Sequence, residues 1–361
     1  MRRELIYDFM KLSLSEMDDI DNFFEVKEDE WASVYRFLAV HGVAPLVCSG
    51  IENKYKGVRP PSDVLVNFIG ADSTSKRSYA RMRKLVYRID EILKESQVKC
   101  LLLKGLSLAE YYPIPGQRKF SDLDLYAPGE AEMIDEVFSS KGLKVDADFY
   151  RHSHISLDGI LIENHYYVLD VRGRNDLLKL DADLKKMASE YLETLDTPGL
   201  HYPSPLFSLI FNLHHAMSHF IYEGISFKFL ADWIYFLRRE REVLASDVVA
   251  AYLKEHKLMK FAAVMSEVSV NYLGLDLDDV PECIRVEMAS LKPDLVEKFL
   301  SDLFRPYEQS HKKTIIAERL NNVRRIVKSS WKPKAFLGQS AIGFVWDKFF
   351  PILMGKKFVA D

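Results

Sequence analysis

At 361 residues, 48% hydrophobic and 28% charged, the chain has room for two or three packed units with real cores, and its composition excludes a mainly disordered, collagenous or disulfide-scaffold protein. Its formal net charge of -4 gives no global electrostatic footprint for nucleic acid, so any basic surface has to be local. Cys48, Cys100 and Cys283 lie far apart with no metal-ligand spacing and read as scattered, reduced thiols.

The N-terminal stretch MRRELIYDFMKLSLSEMDDIDNFF carries two arginines, but Asp8, Lys11 and Glu16 break its apolar run, which rules out a signal-peptide core. No uninterrupted apolar run reaches the roughly 18 to 20 residues that span a bilayer. A cytoplasmic location is expected. Residues 1–97 read as helical: Trp31, Val34, Phe37 and Leu38 recur at helical spacing, as do Met82, Leu85, Val86, Ile89 and Leu93. Pro60-Pro61 marks a break between helices.

The texture changes at Val98. VKCLLLKG is a short apolar run closed by Gly105, the pattern of a buried strand, and Ser107 with Glu110 three residues on reads as a capping box opening a helix. RKFSDLDLYAP is the next strand. A polar helix follows over 130–141, stopped by Gly142. FYRHSHISL and ILIENHYYVLD then form two β-like runs joined by Asp158-Gly159, the strongest short hairpin signal. Helix returns from Asp176, with Ser204-Pro205 at the N-cap and first position of LFSLIFNLHHAMSHF, and SFKFLADWIYFLRRERE behaves alike. The segment 312–334 is basic, with Lys312, Lys313, Arg319, Arg324, Arg325, Lys328, Lys332 and Lys334 against Glu318, and the tail over 336–354 is apolar and aromatic.

Alternation along a strand points Asp122 and Asp124 the same way, with Leu123 and Leu125 on the other face. Two carboxylates so placed repel each other unless a positive charge sits between them, and a hard cation such as Mg²⁺ meets that need while leaving positions for phosphates. The bland alternative is one aspartate at a strand end in solvent and the other in a turn. Lys104-Gly105 before a helix N-terminus, which favours anions, and Glu163 with His165 on one face of the hairpin strand weigh toward a site.

LLLKGLSLAEYY, RKFSDLDLY and ENHYY together resemble the nucleotidyltransferase fold of the DNA polymerase β superfamily, in particular a poorly characterised bacterial branch with KG where GS or GG is usual. LHHAMSHF, FLADWIYFL and AVHGVAPLV are similar to the helical parts of that branch, so the resemblance runs from about Trp31 to Arg239. It implies an α+β protein: a small mixed-sheet core at 98–172 between helical regions at 1–97 and 173–361. It also implies transfer of an NMP from an NTP, such as ATP, to a hydroxyl acceptor. Two Mg²⁺ ions, or Mn²⁺ in their place, would be held by Asp122, Asp124 and Glu163, with Glu163 helping to deprotonate the acceptor. The nucleotide would lie against Lys104, Gly105, Ser107, Arg118 and Ser121. Lys104 departs from the usual small residue, so it either crowds the triphosphate or binds it.

Arg118 reads equally as a phosphate contact or a surface arginine. His165 is a metal neighbour or an orienting partner of Glu163. His215 and His219, one turn apart, invite a metal reading, but without an HExxH glutamate a packed or hydrogen-bonded role facing the sheet fits better, with Asp232 as partner to one of them. The basic segment is a solvated face, or a contact for an acidic acceptor or anionic lipid, and the tail is core or a membrane-surface element. A non-catalytic nucleotide-binding protein and a toxin–antitoxin module acting on tRNA or a partner protein are the other function classes.

Overall fold

The computed structural model describes residues 2–15, 24–147, 150–171, 174–305, 327–340 and 342–344. Four helices come first, as the 3.6-residue spacing predicts: α1 (Arg3–Leu14), α2 (Trp31–Val40), α3 (Ala44–Asn53) and α4 (Ser62–Glu95). Pro61 stands as the N-cap of α4, whose 34 residues make it a long strut. The sheet region follows with β1 (Lys99–Leu103), α5 (Gly105–Ala109), β2 (Asp122–Tyr126), α6 (Ala131–Ser140), β3 (Lys144–Asp146), β4 (His152–Leu157) and β5 (Ile160–His165). Beyond it lie α7 (Leu178–Glu193), β6 (Gly199–His201), α8 (Pro205–Tyr222), α9 (Phe227–Leu244), α10 (Asp247–Glu255), α11 (Met259–Leu273), α12 (Glu282–Met288), α13 (Pro293–Leu303) and α14 (Trp331–Leu337).

The six strands form one mixed sheet in the order β3-β4-β5-β2-β1-β6. β2 runs antiparallel to β1 and parallel to β5, and the β4–β5 hairpin turns at Asp158 and Gly159 with φ of 53° and 69°. Positive φ at both turn positions is the two-residue hairpin geometry that Asp-Gly favours. β3 and β6 escape sequence reading because a three-residue strand is too short to display alternation. β6 joins the sheet from beyond residue 172, parallel to β1.

The pleat divides the sheet's side chains between two cores. Cys100, Leu102, Leu123, Leu125 and Ile162 pack with Met82, Leu85, Ile89 and Leu93 of α4 and with Ile134 and Phe138 of α6. Leu101, Leu103 and Tyr126 face the other way, into the large helical core that α1 to α3 share with α8 to α13. Asp122, Asp124, Glu163 and His165 lie on this second face by alternation.

Ser107 does not open α5. The helix starts at Gly105 with Lys104 as N-cap, and Ser107 Oγ donates to the Lys104 carbonyl at 2.7 Å from inside the first turn. The chain reverses earlier than a capping box would allow because Lys104 and Gly105 both take positive φ, 32° and 28°. A Cβ on Gly105 would meet the Asp122 carbonyl at 3.4 Å, so glycine lets this turn lie against the start of β2. Ser204 does cap α8, accepting from the Phe207 N–H at 3.4 Å. Most of the basic segment, 312–326, lies outside the described residues, as does the tail from 345 onward. Among the described residues no helix is long and apolar enough to cross a membrane.

Candidate active site

Asp124 sits opposite Glu163 where β2 pairs with β5, and Asp122 opposite Leu161. Asp124 is enclosed, its side chain 1% exposed, with Oδ1 accepting from Lys104 Nζ at 2.7 Å and lying 3.0 Å from His165 Nε2. Burial alone would favour the neutral acid, but Lys104 and His165 overcome it and hold the carboxyl at about 2. Its Oδ2 is buried with no hydrogen-bond partner among the described residues. A buried, ionised oxygen without a donor is a position that a hard cation fits. Glu163 is also lowered, chiefly by His165, whose Nε2 lies 3.6 Å from Oε2, against the opposing effect of its own partial burial.

Donor atoms of Asp124, Glu163 and His165 all lie within 4.8 Å of one another, close enough to share an ion. Asp122 belongs to no such group among the described residues. It stands half-buried at the start of β2, with Ser121 Oγ 3.4 Å from its Oδ1. The three expected carboxylates thus divide into a close pair with His165 and a separate Asp122 nearer the open end of the strand.

Arg118 is turned away from solvent. Its Nε and Nη2 donate to Asp232 Oδ1 and Oδ2 at 2.7 and 2.9 Å, and Nη1 donates to the Gly105 carbonyl at 2.8 Å. Tyr112 Oη also donates to Asp232 Oδ1 at 2.8 Å. Asp232 therefore partners Arg118, while His219 Nδ1 is 3.1 Å from Glu223 Oε2. His215 meets His219 edge-on with ring centroids 4.6 Å apart, and burial drives His215 well below the usual histidine value.

These elements enclose a cavity of about 410 Å³ between the acidic face of the sheet and helices α8 and α9, lined by Lys104, Gly105, Ser121, Asp122, Asp124, His215, His219 and Asp232. That is ample for part of a nucleotide. Lys119, Lys228 and Phe229 line it too. Lys228 was not expected from the sequence. Among the described residues it has no carboxylate within ion-pair distance, and burial, with Arg118 adding repulsion, lowers it to about 8. Gly42, whose φ of 73° suits glycine, lies beside it, a Cβ there falling at ordinary contact distance, 3.5 Å, from Lys228 Cδ. Lys228 lies one helical turn before Asp232, and that spacing was the available signal. His152 and His154 were also missed, although alternation and the Asp-Gly turn together place them beside His165 and Glu163.

Residues 27–274 match the model of a family described as an uncharacterised nucleotidyltransferase. No curated protein and no solved structure matches the chain significantly.

Proposed function

The chain belongs to the uncharacterised nucleotidyltransferase family, and on that premise we propose that it moves an NMP unit from an NTP to a hydroxyl acceptor at the cavity between the start of β2 and helices α8 and α9. The observation that carries this reading is buried Asp124, whose Oδ2 has no hydrogen-bond partner among the described residues, lining a cavity that Lys228, a cation without a carboxylate partner among the described residues, lines from α9. Carboxylates on one wall and an available ammonium on the other suit a triphosphate carried with divalent cations.

Asp122, Asp124 and Glu163 would hold Mg²⁺, or Mn²⁺ in its place. When bound, such ions offset charge on the phosphates and on the entering and leaving oxygens. Lys228 binds phosphate oxygens from the helical side. Lys104 holds Asp124 ionised and oriented, which gives the KG pair a role as counter-charge to the acids. Gly105 and Ser107 keep the turn close to β2, and Ser121 lies at the mouth. Arg118 and Asp232 fix α9 against that turn, so their contribution is to position Lys228. In the transfer the acceptor oxygen bonds to the α-phosphorus, the bond to the β-phosphate oxygen breaks, and pyrophosphate leaves. Glu163, ionised at neutral pH, takes the acceptor's proton. Catalysis of this kind rests on positioning and preorganised charge.

Calorimetry with each NTP and Mg²⁺ on the wild type and on Asp122→Ala/Asp124→Ala tests the site. Metal-dependent triphosphate binding that the double variant lacks is expected, and equal binding by the variant would remove the assignment.

A further inference from the structure

Next to the cavity, but lining none of it, β4 carries His152 and His154 on the same face as the acids. Pairing with β5 sets His154 against Glu163 and His152 against His165. The Nε2 atoms of His152 and His154 lie 3.0 Å apart, and each is 3.9 Å from Glu163 Oε1. Their rings stack with centroids 4.8 Å apart and planes 28° apart, so the rings converge at their Nε2 atoms.

These distances fit a shared ion. Two imidazole nitrogens bound at about 2.1 Å sit roughly 3.0 Å apart at a right angle and roughly 3.4 Å apart at the tetrahedral angle, and a ligand across the ion lies up to about 4.2 Å away. Without an ion, one Nε2 carries a hydrogen and donates it to the other. A divalent cation would bind both rings through Nε2 as neutral imidazoles, the hydrogen of the donating ring moving to its own Nδ1 with no net proton released.

We propose that His152, His154 and Glu163 form a binding site for a divalent transition ion of the zinc and cobalt class, which shares Glu163 with the oxygen-donor position at Asp122 and Asp124. The donor set decides the class: imidazole nitrogen suits zinc, cobalt and nickel, whereas magnesium takes oxygen ligands and keeps its waters. Glu163 belongs both to this group and to the group with Asp124 and His165, so an ion here would fix a carboxylate that the two groups share. The site needs no transfer reaction, and it meets the proposal above only at Glu163.

The test uses the full-length chain stripped of metal. Zn²⁺ is titrated in competition with a chromophoric chelator, and Co²⁺ is followed by its visible absorption. One ion per chain is expected, with a Co²⁺ spectrum showing nitrogen ligation. His152→Ala/His154→Ala and the milder His154→Gln should each weaken Zn²⁺ binding at least about tenfold, because each removes a ligand, and should alter the Co²⁺ bands. Asp122→Asn should leave both readouts unchanged. Far-UV circular dichroism checks the fold, and His154→Gln, at a partly exposed strand position, carries the test if the double variant unfolds. Zn²⁺ affinity and Co²⁺ spectrum unchanged in the folded histidine variants overturn the site. Wild-type chain that binds Zn²⁺ through these histidines but binds no NTP with Mg²⁺ overturns the transfer reading and leaves this site standing.

Discussion

Arg118 and Asp232, 114 residues apart in sequence, meet as a buried two-point ion pair with contacts of 2.7 and 2.9 Å. The pair joins the loop before β2 to the first turns of α9, and the remaining guanidinium nitrogen ties it to the Gly105 carbonyl at 2.8 Å. Every donor direction used is internal, so the pair acts on the site through geometry.

Arg118→Ala strands Asp232 as an uncompensated buried charge, and removing one partner of such a pair typically costs about 3 to 5 kcal/mol. Urea unfolding should show a loss of that size. Arg118→Lys should recover only part of it, because a lysine lacks the fork that meets both carboxylate oxygens. Full stability in Arg118→Ala would mean that the pair contributes nothing to anchoring α9.

Lys228→Met should separate stability from binding. Burial without a counter-charge disfavours the ammonium, so the variant is expected to unfold at equal or higher urea concentration while binding NTP at least about tenfold more weakly, as loss of a charged phosphate contact predicts. Comparison of the two midpoints with the two calorimetric affinities decides it.

The same lysine sets a pH dependence. Its value in the free protein is lowered to about 8, and a bound phosphate favours the charged form, so affinity for NTP should be level below about pH 8 and decline as pH rises above it. Affinity measured from pH 6.5 to 9.5 should show this fall in the wild type and a flat profile in Lys228→Met.

Asp124 predicts an acid limb. A carboxyl lowered in the folded state stabilises the fold fully above its unfolded value, near 3.9, and loses that contribution as pH falls through the folded value of about 2. In chelator-treated protein, the unfolding free energy should drop between about pH 4 and pH 2 more steeply in the wild type than in Asp124→Asn. Lys104→Met removes the main counter-charge 2.7 Å away and should narrow that difference by raising the Asp124 value.

Lys332 Nζ lies 2.7 Å from both Asp302 Oδ2 and the Phe220 carbonyl, pinning α14 onto α13 and the end of α8. Lys332→Ala is expected to lower stability by about 3 kcal/mol, since among the described residues Asp302 keeps only the more distant Arg305 at 3.5 Å. Limited proteolysis should then cut near 327–337 faster than in the wild type.

Sequence alone determined what depends on neighbours along the chain. Strand alternation gave Asp122 and Asp124 a common face on β2 and Glu163 and His165 one on β5, the Asp-Gly turn gave the hairpin, and the KG pair marked the turn out of β1. These features follow from backbone geometry over a few residues, which a local pattern records faithfully. Tertiary structure decided the partners. That Arg118 answers Asp232, that Lys104 answers Asp124, that Lys228 lines the cavity with no carboxylate partner among the described residues, and that Asp122 stands apart from the Asp124–Glu163–His165 group all depend on where helices distant in sequence come to rest against the sheet. An ion pair or a cavity wall is fixed by the packing of apolar faces that carry no information about which charge they bring along, so residue type and spacing could nominate these side chains but could not assign their contacts.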